Sequence, residues 1–76
     1  MLTGKRFTLN RATLALDAVN GQVKAVTVPA GVVIKVVSDL KPNNMVDVLW
    51  EGRQVAMFAL DVKDRGSLVT NKSARA

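Results

Sequence analysis

The dipeptide Asn20-Gly21 constrains the fold most, because it stands between two segments of alternating side chains that can pair as strands. Asn and Gly tolerate positive φ at both central positions of a type I′ turn, whose twist suits a β-hairpin. Residues 12–19 and 22–28 are therefore predicted to pair through a two-residue loop that places Asp17 opposite Lys24. One face of this hairpin then carries the apolar side chains Leu14, Leu16, Ala18, Val23 and Ala25, and the other carries the Asp17–Lys24 pair.

Three further segments are predicted as strands. Pro29-Ala30-Gly31 has the residues of a type II turn and precedes a strand over 32–37. A loop rich in Asp, Pro and Asn covers 38–44. Residues 45–50 and 53–58 form a second hairpin around Glu51-Gly52.

The two ends of the chain carry weaker signals. Residues 5–9 alternate and are interpreted as a short first strand or an extended lead-in. Residues 61–65 are predicted as a single helical or 3₁₀ turn that begins at Asp61 and is closed by Gly66. Leu68 and Val69 can add a short last strand, and residues 70–76 are expected to be a disordered tail.

Short strands at regular intervals predict one all-β domain over residues 1–76. The architecture we expect is a small five-stranded SH3-like barrel with one short helical or 3₁₀ turn near the C-terminus. A chain of 76 residues buries only about 60% of the surface its unfolded form exposes, so its stability margin is thin. It contains no Cys and no His, which excludes a disulfide and the usual ligands of structural zinc. Self-association or a very good core must supply the missing stability.

Several predicted strands are apolar on both faces, which a barrel of this size cannot bury alone. If Ile34, Val46 and Val48 face the core, a second apolar set faces away. Isolated apolar surface residues are ordinary, but a contiguous patch usually meets a partner. We favour a subunit interface in a homo-oligomer, built from Val33, Val37, Met45, Leu49 and Phe58.

The chain is basic, with a net charge of +5. Charge of this size is ordinary for a soluble domain, but it also allows a nucleic-acid partner. The candidate contacts are Lys5, Arg6, Arg11, Lys24, Lys35 and Arg53.

No motif indicates chemistry. There is no His, Cys or Tyr, and Asp61 and Asp64 are more readily interpreted as a solvated charge cluster than as an acid–base pair. Trp50, opposite Arg53, can stack a base or a Pro-rich peptide, but we favour a structural role for it. We therefore expect no catalytic residue, no cofactor and no metal, and a protein that is not an enzyme.

The sequence has no apolar run near the roughly 18 residues that a membrane span needs. Its first residues, Met1 to Arg6, carry charge with no apolar stretch behind them, so no signal peptide is predicted. We therefore expect a cytoplasmic protein without a membrane partner.

The segments 28–36, 45–53 and 58–62 together resemble short, uncharacterised bacterial proteins with an SH3-like barrel. That resemblance covers about residues 4–69 and implies a fold without implying an activity. In size and strand rhythm the chain is also similar to the plasmid-type dihydrofolate reductases, which are SH3-like barrels assembled as tetramers. Their active-site segment is Val-Gln-Ile-Tyr, and the nearest segment here, Val55-Ala56-Met57-Phe58, lacks the Gln amide and the Tyr hydroxyl. No catalytic residue is carried over.

These observations predict a non-catalytic β-protein that acts through self-association or through a protein partner whose identity the sequence does not indicate. The alternative is a nucleic-acid-binding module with a basic surface.

Overall fold

A computed structural model describes residues 3–69 of the chain. Within this range it contains seven strands and one short helix. In chain order they are β1 (Arg6–Leu9), β2 (Thr13–Val19), β3 (Gln22–Val28), β4 (Val33–Val36), β5 (Met45–Trp50), β6 (Arg53–Phe58), α1 (Ala59–Arg65) and β7 (Gly66–Val69). The predicted disordered tail, 70–76, lies outside the described residues.

The strands form one antiparallel sheet in the order β3-β2-β6-β5-β4-β1-β7. The all-β prediction is confirmed. The closed five-stranded SH3-like barrel is wrong, because the sheet has seven strands and its end strands, β3 and β7, are not paired with each other.

The two additional strands are the weakly signalled segments at the ends of the chain. β1 pairs with β4 on one side and with β7 on the other, with Phe7 opposite both Ile34 and Leu68. Phe7 and Leu9 are 6% and 1% exposed, so β1 belongs to the core and is not a lead-in. Burying these side chains is the physical reason that a four-residue segment is held as a strand.

Both hairpin predictions are confirmed. β2 and β3 pair from Val19 opposite Gln22 to Thr13 opposite Val28 without interruption, which is the predicted register. Asn20 and Gly21 have φ of 51° and 76°, as a type I′ turn requires. The turn between β5 and β6 uses the same geometry, with Glu51 and Gly52 at φ 52° and 77°.

The core lies on one face of the sheet. Ile34, Val36, Val46 and Val48 are each 0% exposed, and Val55 and Met57 across the β5–β6 hairpin are 2% and 0% exposed. Residues 3–69 provide no second sheet and only a seven-residue helix to cover this face. The sheet must therefore curl over its own inner face. We call the buried side the inner face and the opposite side the outer face.

Helix α1 begins at Ala59, two residues before the predicted start at Asp61. Ala59 and Val62, one turn apart, are both buried, and the Ala59 amide donates to the Asn44 carbonyl at 2.9 Å. Gly66 follows the helix, as predicted, with an extended φ of −115° in place of the left-handed conformation usual for a glycine that ends a helix. A side chain there would come within 2.5 Å of the Val62 carbonyl oxygen, which explains the glycine.

None of the helices within residues 3–69 is long and apolar enough to cross a membrane.

Candidate interaction surface

The outer face carries a contiguous apolar patch across β3, β2 and β6. Cross-strand pairing places Leu16 beside both Ala25 and Ala56, and places Ala18 beside Val23. Extending this register by two residues places Leu14 on the side of Phe58 at the other end of the strands. We call this surface the hairpin patch, and it consists of Leu14, Leu16, Ala18, Val23, Ala25, Ala56 and Phe58.

The largest side chains of the hairpin patch are accessible. Val23 is 65% exposed, Leu14 is 48% exposed and Phe58 is 41% exposed. None of the patch residues carries a charge. A surface of this composition is typical of a contact between proteins.

The inner face of β2 explains why these apolar residues lie outside. Its inward residues are Thr13, Ala15 and Asp17, which are 1%, 1% and 5% exposed. Thr13 satisfies its hydroxyl by donating to the Arg11 carbonyl at 2.9 Å. These small and polar side chains occupy the inner side of the hairpin. Because successive side chains of a strand point to opposite faces, Leu14 and Leu16 lie on the outer face.

Asp17 is held inside by an ion pair with Arg53 of β6. Its side chain is 8% exposed, whereas the side chain of Arg53 is 54% exposed. A buried carboxylate needs such a partner because removing its charge from water is costly. Lys24 lies opposite Asp17 across the hairpin, as predicted, but is itself exposed.

Trp50 lies opposite Arg53, as predicted, at the same end of the inner face. It is half-buried and packs against the core. Its indole Nε1 is buried and has no hydrogen-bond partner among the described residues. This packing matches the structural role that we favoured, although it leaves one polar atom unsatisfied.

The predicted interface residues all lie on the outer face but differ in accessibility. Val33, Leu49 and Phe58 are 49%, 38% and 41% exposed. Val37 is half-buried, and Met45 is only 5% exposed and offers little surface. Phe58 alone among them belongs to the hairpin patch.

Sequence reasoning placed Leu14, Leu16 and Val23 on one face but did not identify that face as exposed. The local signal pointed the wrong way. An acid in the middle of a strand, such as Asp17, normally marks the solvent side of the sheet. That rule fails here because Arg53, 36 residues away in sequence, supplies a partner inside.

The predicted nucleic-acid contacts do not form one surface. Lys35 lies opposite Arg6 on the outer face of β4 and β1, and Lys5 precedes Arg6. Lys24 and Arg53 lie at the other end of the sheet, around Asp17. Arg11 lies elsewhere again and lines a polar pocket with Asn10, Asp61, Asp64 and Arg65.

Of the two carboxylates considered for chemistry, Asp61 forms an ion pair within its own helix. Asp61 lies 3.7 Å from the guanidinium of Arg65, one helical turn later. Asp47 lies 2.8 Å from Lys41 Nζ and its side chain is 16% exposed. Residues 3–69 contain no group of three or more side chains that could hold a metal ion.

An apolar pocket adjoins the hairpin patch at Phe58. It is lined by Leu40 and Leu60, which are 62% and 66% exposed, together with Asn43, Asn44 and Lys63. Through Phe58, the exposed apolar surface continues from β2 to the start of α1.

No family model, curated protein or solved structure matches this chain. The resemblance to short bacterial SH3-like proteins therefore stays a prediction, and function must be argued from the surface itself.

Proposed function

We propose that this chain is a non-catalytic β-protein that acts through self-association, with the hairpin patch at the subunit interface. The main observation in support of this proposal is that the outer side of the β2–β3 hairpin is more apolar than its inner side. Leu14 and Val23 are accessible while Asp17 is buried on the opposite face.

The energetics of burial support association of moderate strength. Fully burying a large apolar side chain contributes about 1.5–3 kcal/mol. Leu14, Val23 and Phe58 are roughly half exposed, so burying them in both subunits contributes about 4–9 kcal/mol. Association costs an estimated 4–15 kcal/mol, so these contacts offset a large part of that cost.

A second copy of the chain fits the patch better than nucleic acid does. The patch has no charged residue, whereas a nucleic-acid surface needs clustered Lys and Arg. The candidate basic contacts are divided among separate places, around Arg6, around Arg53 and at Arg11. A closed two-fold dimer, in which both copies use the same patch, is the commonest arrangement.

Sedimentation velocity from low to high micromolar concentration tests this proposal. We expect a mass above 8.2 kDa that rises with concentration. Leu14→Lys places a charge in the patch and should weaken association roughly tenfold to a hundredfold. Because Leu14 is already 48% exposed, the variant should keep the native far-UV circular dichroism spectrum.

The matched control is Leu68→Lys, at a residue that is 50% exposed on β7, at the opposite end of the sheet. This variant should associate like the wild type. A wild-type chain that stays monomeric at the highest concentration would refute the proposal. If that monomer also bound a mixed-sequence duplex with steep salt dependence, the nucleic-acid alternative would replace it.

A further inference from the structure

Strand β3 is a long and accessible edge of the sheet. It has seven residues and a single neighbouring strand, β2, within residues 3–69. Five of its residues, including Val23, Lys24 and Ala25, are exposed. Such an edge is a template for pairing with another strand.

The turn at Asn20-Gly21 determines which backbone groups of β3 point away from β2. In a two-residue type I′ hairpin the residues that flank the turn, Val19 and Gln22, exchange hydrogen bonds. Hydrogen-bonded pairs alternate along an antiparallel ladder, so Gln22, Lys24 and Val26 direct their N–H and C=O groups to β2. The corresponding groups of Val23, Ala25 and Thr27 point outward.

We infer that β3 pairs antiparallel with β3 of a second copy, across a two-fold axis at Ala25. In this register Ala25 faces its own counterpart, and Val23 faces Thr27 of the other copy. All the outward groups between 23 and 27 are then used, giving about six inter-subunit hydrogen bonds. The sheet becomes continuous across the dimer.

Neighbouring registers are poorer. An axis at Lys24 opposes two lysines directly and keeps about four of the bonds, and like charges directly opposite are destabilising. An axis at Val26 brings Val23 opposite Pro29, which has no N–H to donate. The register at Ala25 instead places each Lys24 beside an apolar Val26.

This inference rests on the proposed self-association but places the contact at the β3 edge, where Val23 and Ala25 take part and Leu14 and Phe58 do not. A two-fold axis perpendicular to the sheet keeps both outer faces on the same side. Ala25 of one copy then adjoins Ala25 of the other and Val23 adjoins Thr27, so the two hairpin patches meet along the β3 edges. A second copy therefore pairs the backbone edge and contacts Val23 and Ala25, while the rest of the hairpin patch stays on the outer face of the continuous sheet.

Single-cysteine variants test the register without interference, because the chain has no cysteine of its own. In the dimer, Ala25→Cys places two thiols on residues whose Cα atoms are about 5.5 Å apart. The Cα atoms of paired Val23→Cys residues would be about 14 Å apart. A short ethane-bridged bismethanethiosulfonate reagent should therefore cross-link Ala25→Cys and not Val23→Cys.

Val23→Cys is a matched control because Val23 is 65% exposed, so random collision would cross-link it readily. Mixing Val23→Cys with Thr27→Cys should restore cross-linking, and only between the two variants. Both positions are exposed, so native circular dichroism is expected for every variant.

The outcomes separate the two proposals. Selective cross-linking of Ala25→Cys supports both. If the wild type associates in sedimentation but Val23→Cys cross-links as well as Ala25→Cys, self-association stands and the register is wrong. Higher oligomers or filaments of the wild type in sedimentation would replace the closed dimer by head-to-tail pairing of the β3 and β7 edges. A monomeric wild type would overturn both proposals.

Discussion

The ion pair between Asp17 and Arg53 should respond asymmetrically to removal of either partner. Arg53→Met keeps most of the aliphatic stem but leaves the Asp17 carboxylate, 8% exposed, without its cation. Asp17→Asn leaves Arg53, whose side chain is 54% exposed and can be hydrated. The two substitutions break the same contact, but Arg53→Met leaves a buried carboxylate unpaired and Asp17→Asn leaves an exposed guanidinium unpaired.

The magnitudes follow from these exposures. Leaving a fully buried charge unpaired costs about 3–5 kcal/mol. Water can approach Asp17 from the exposed side of Arg53, which lowers this cost, so we expect Arg53→Met to destabilise the protein by about 2–3 kcal/mol. Losing a half-exposed pair costs about 1 kcal/mol or less, which is the expectation for Asp17→Asn. A chain of this length is stable by roughly 4–11 kcal/mol, so the first loss is a large fraction.

Urea unfolding at one fixed protein concentration measures both free energies, and fixing the concentration keeps any contribution from association comparable. The double variant Asp17→Leu with Arg53→Met should recover most of the loss, because no buried charge remains. The reasoning is refuted if Asp17→Asn destabilises the protein more than Arg53→Met does, or if the double variant is no more stable than Arg53→Met alone.

Two substitutions in the turns give further predictions. Glu51→Asn should raise the free energy of unfolding by about 0.5–1 kcal/mol, because Glu51 has a φ of 52° and Asn tolerates that conformation better. Urea unfolding checks it, and an unchanged midpoint would contradict it. Gly66→Ala should destabilise the protein by about 1–3 kcal/mol, since the new Cβ would lie 2.5 Å from the Val62 carbonyl oxygen and 3.2 Å from Phe7 Cβ. Thermal unfolding checks this, and a native melting temperature would show that the helix end can shift.

The parts of the fold that sequence predicts well are those with local causes. The turn at Asn20-Gly21 fixes its hairpin because the conformation and the register follow from the same two residues. Gly31, predicted to take positive φ after Pro29, has a φ of 89°. Here too the cause is local, because a turn of this kind needs a residue that tolerates positive φ.

The parts that sequence misses depend on contacts between distant residues. Phe7 pairs with Leu68 from the far end of the chain, so neither segment alone indicates a strand. Whether a curled sheet closes depends on its two end strands, β3 and β7, and no local pattern specifies that. The helix begins at Ala59, which packs in the core and donates its amide to the Asn44 carbonyl, and a cap-based prediction from Asp61 does not consider these contacts.

The β2–β3 hairpin connects folding to the proposed assembly. It supplies little of the core, chiefly Ala15 and Val28, with Val26 packed at the margin. A hairpin with few buried apolar contacts has low local stability, and a two-stranded hairpin alone is marginal in water. Within residues 3–69 of a single subunit, the outward backbone groups of β3 have no partner strand and Val23 is exposed. Pairing of β3 with a second copy would add hydrogen bonds to these groups and cover Val23. Under the proposed association, an element with few core contacts in the subunit is also the one that the second subunit contacts directly.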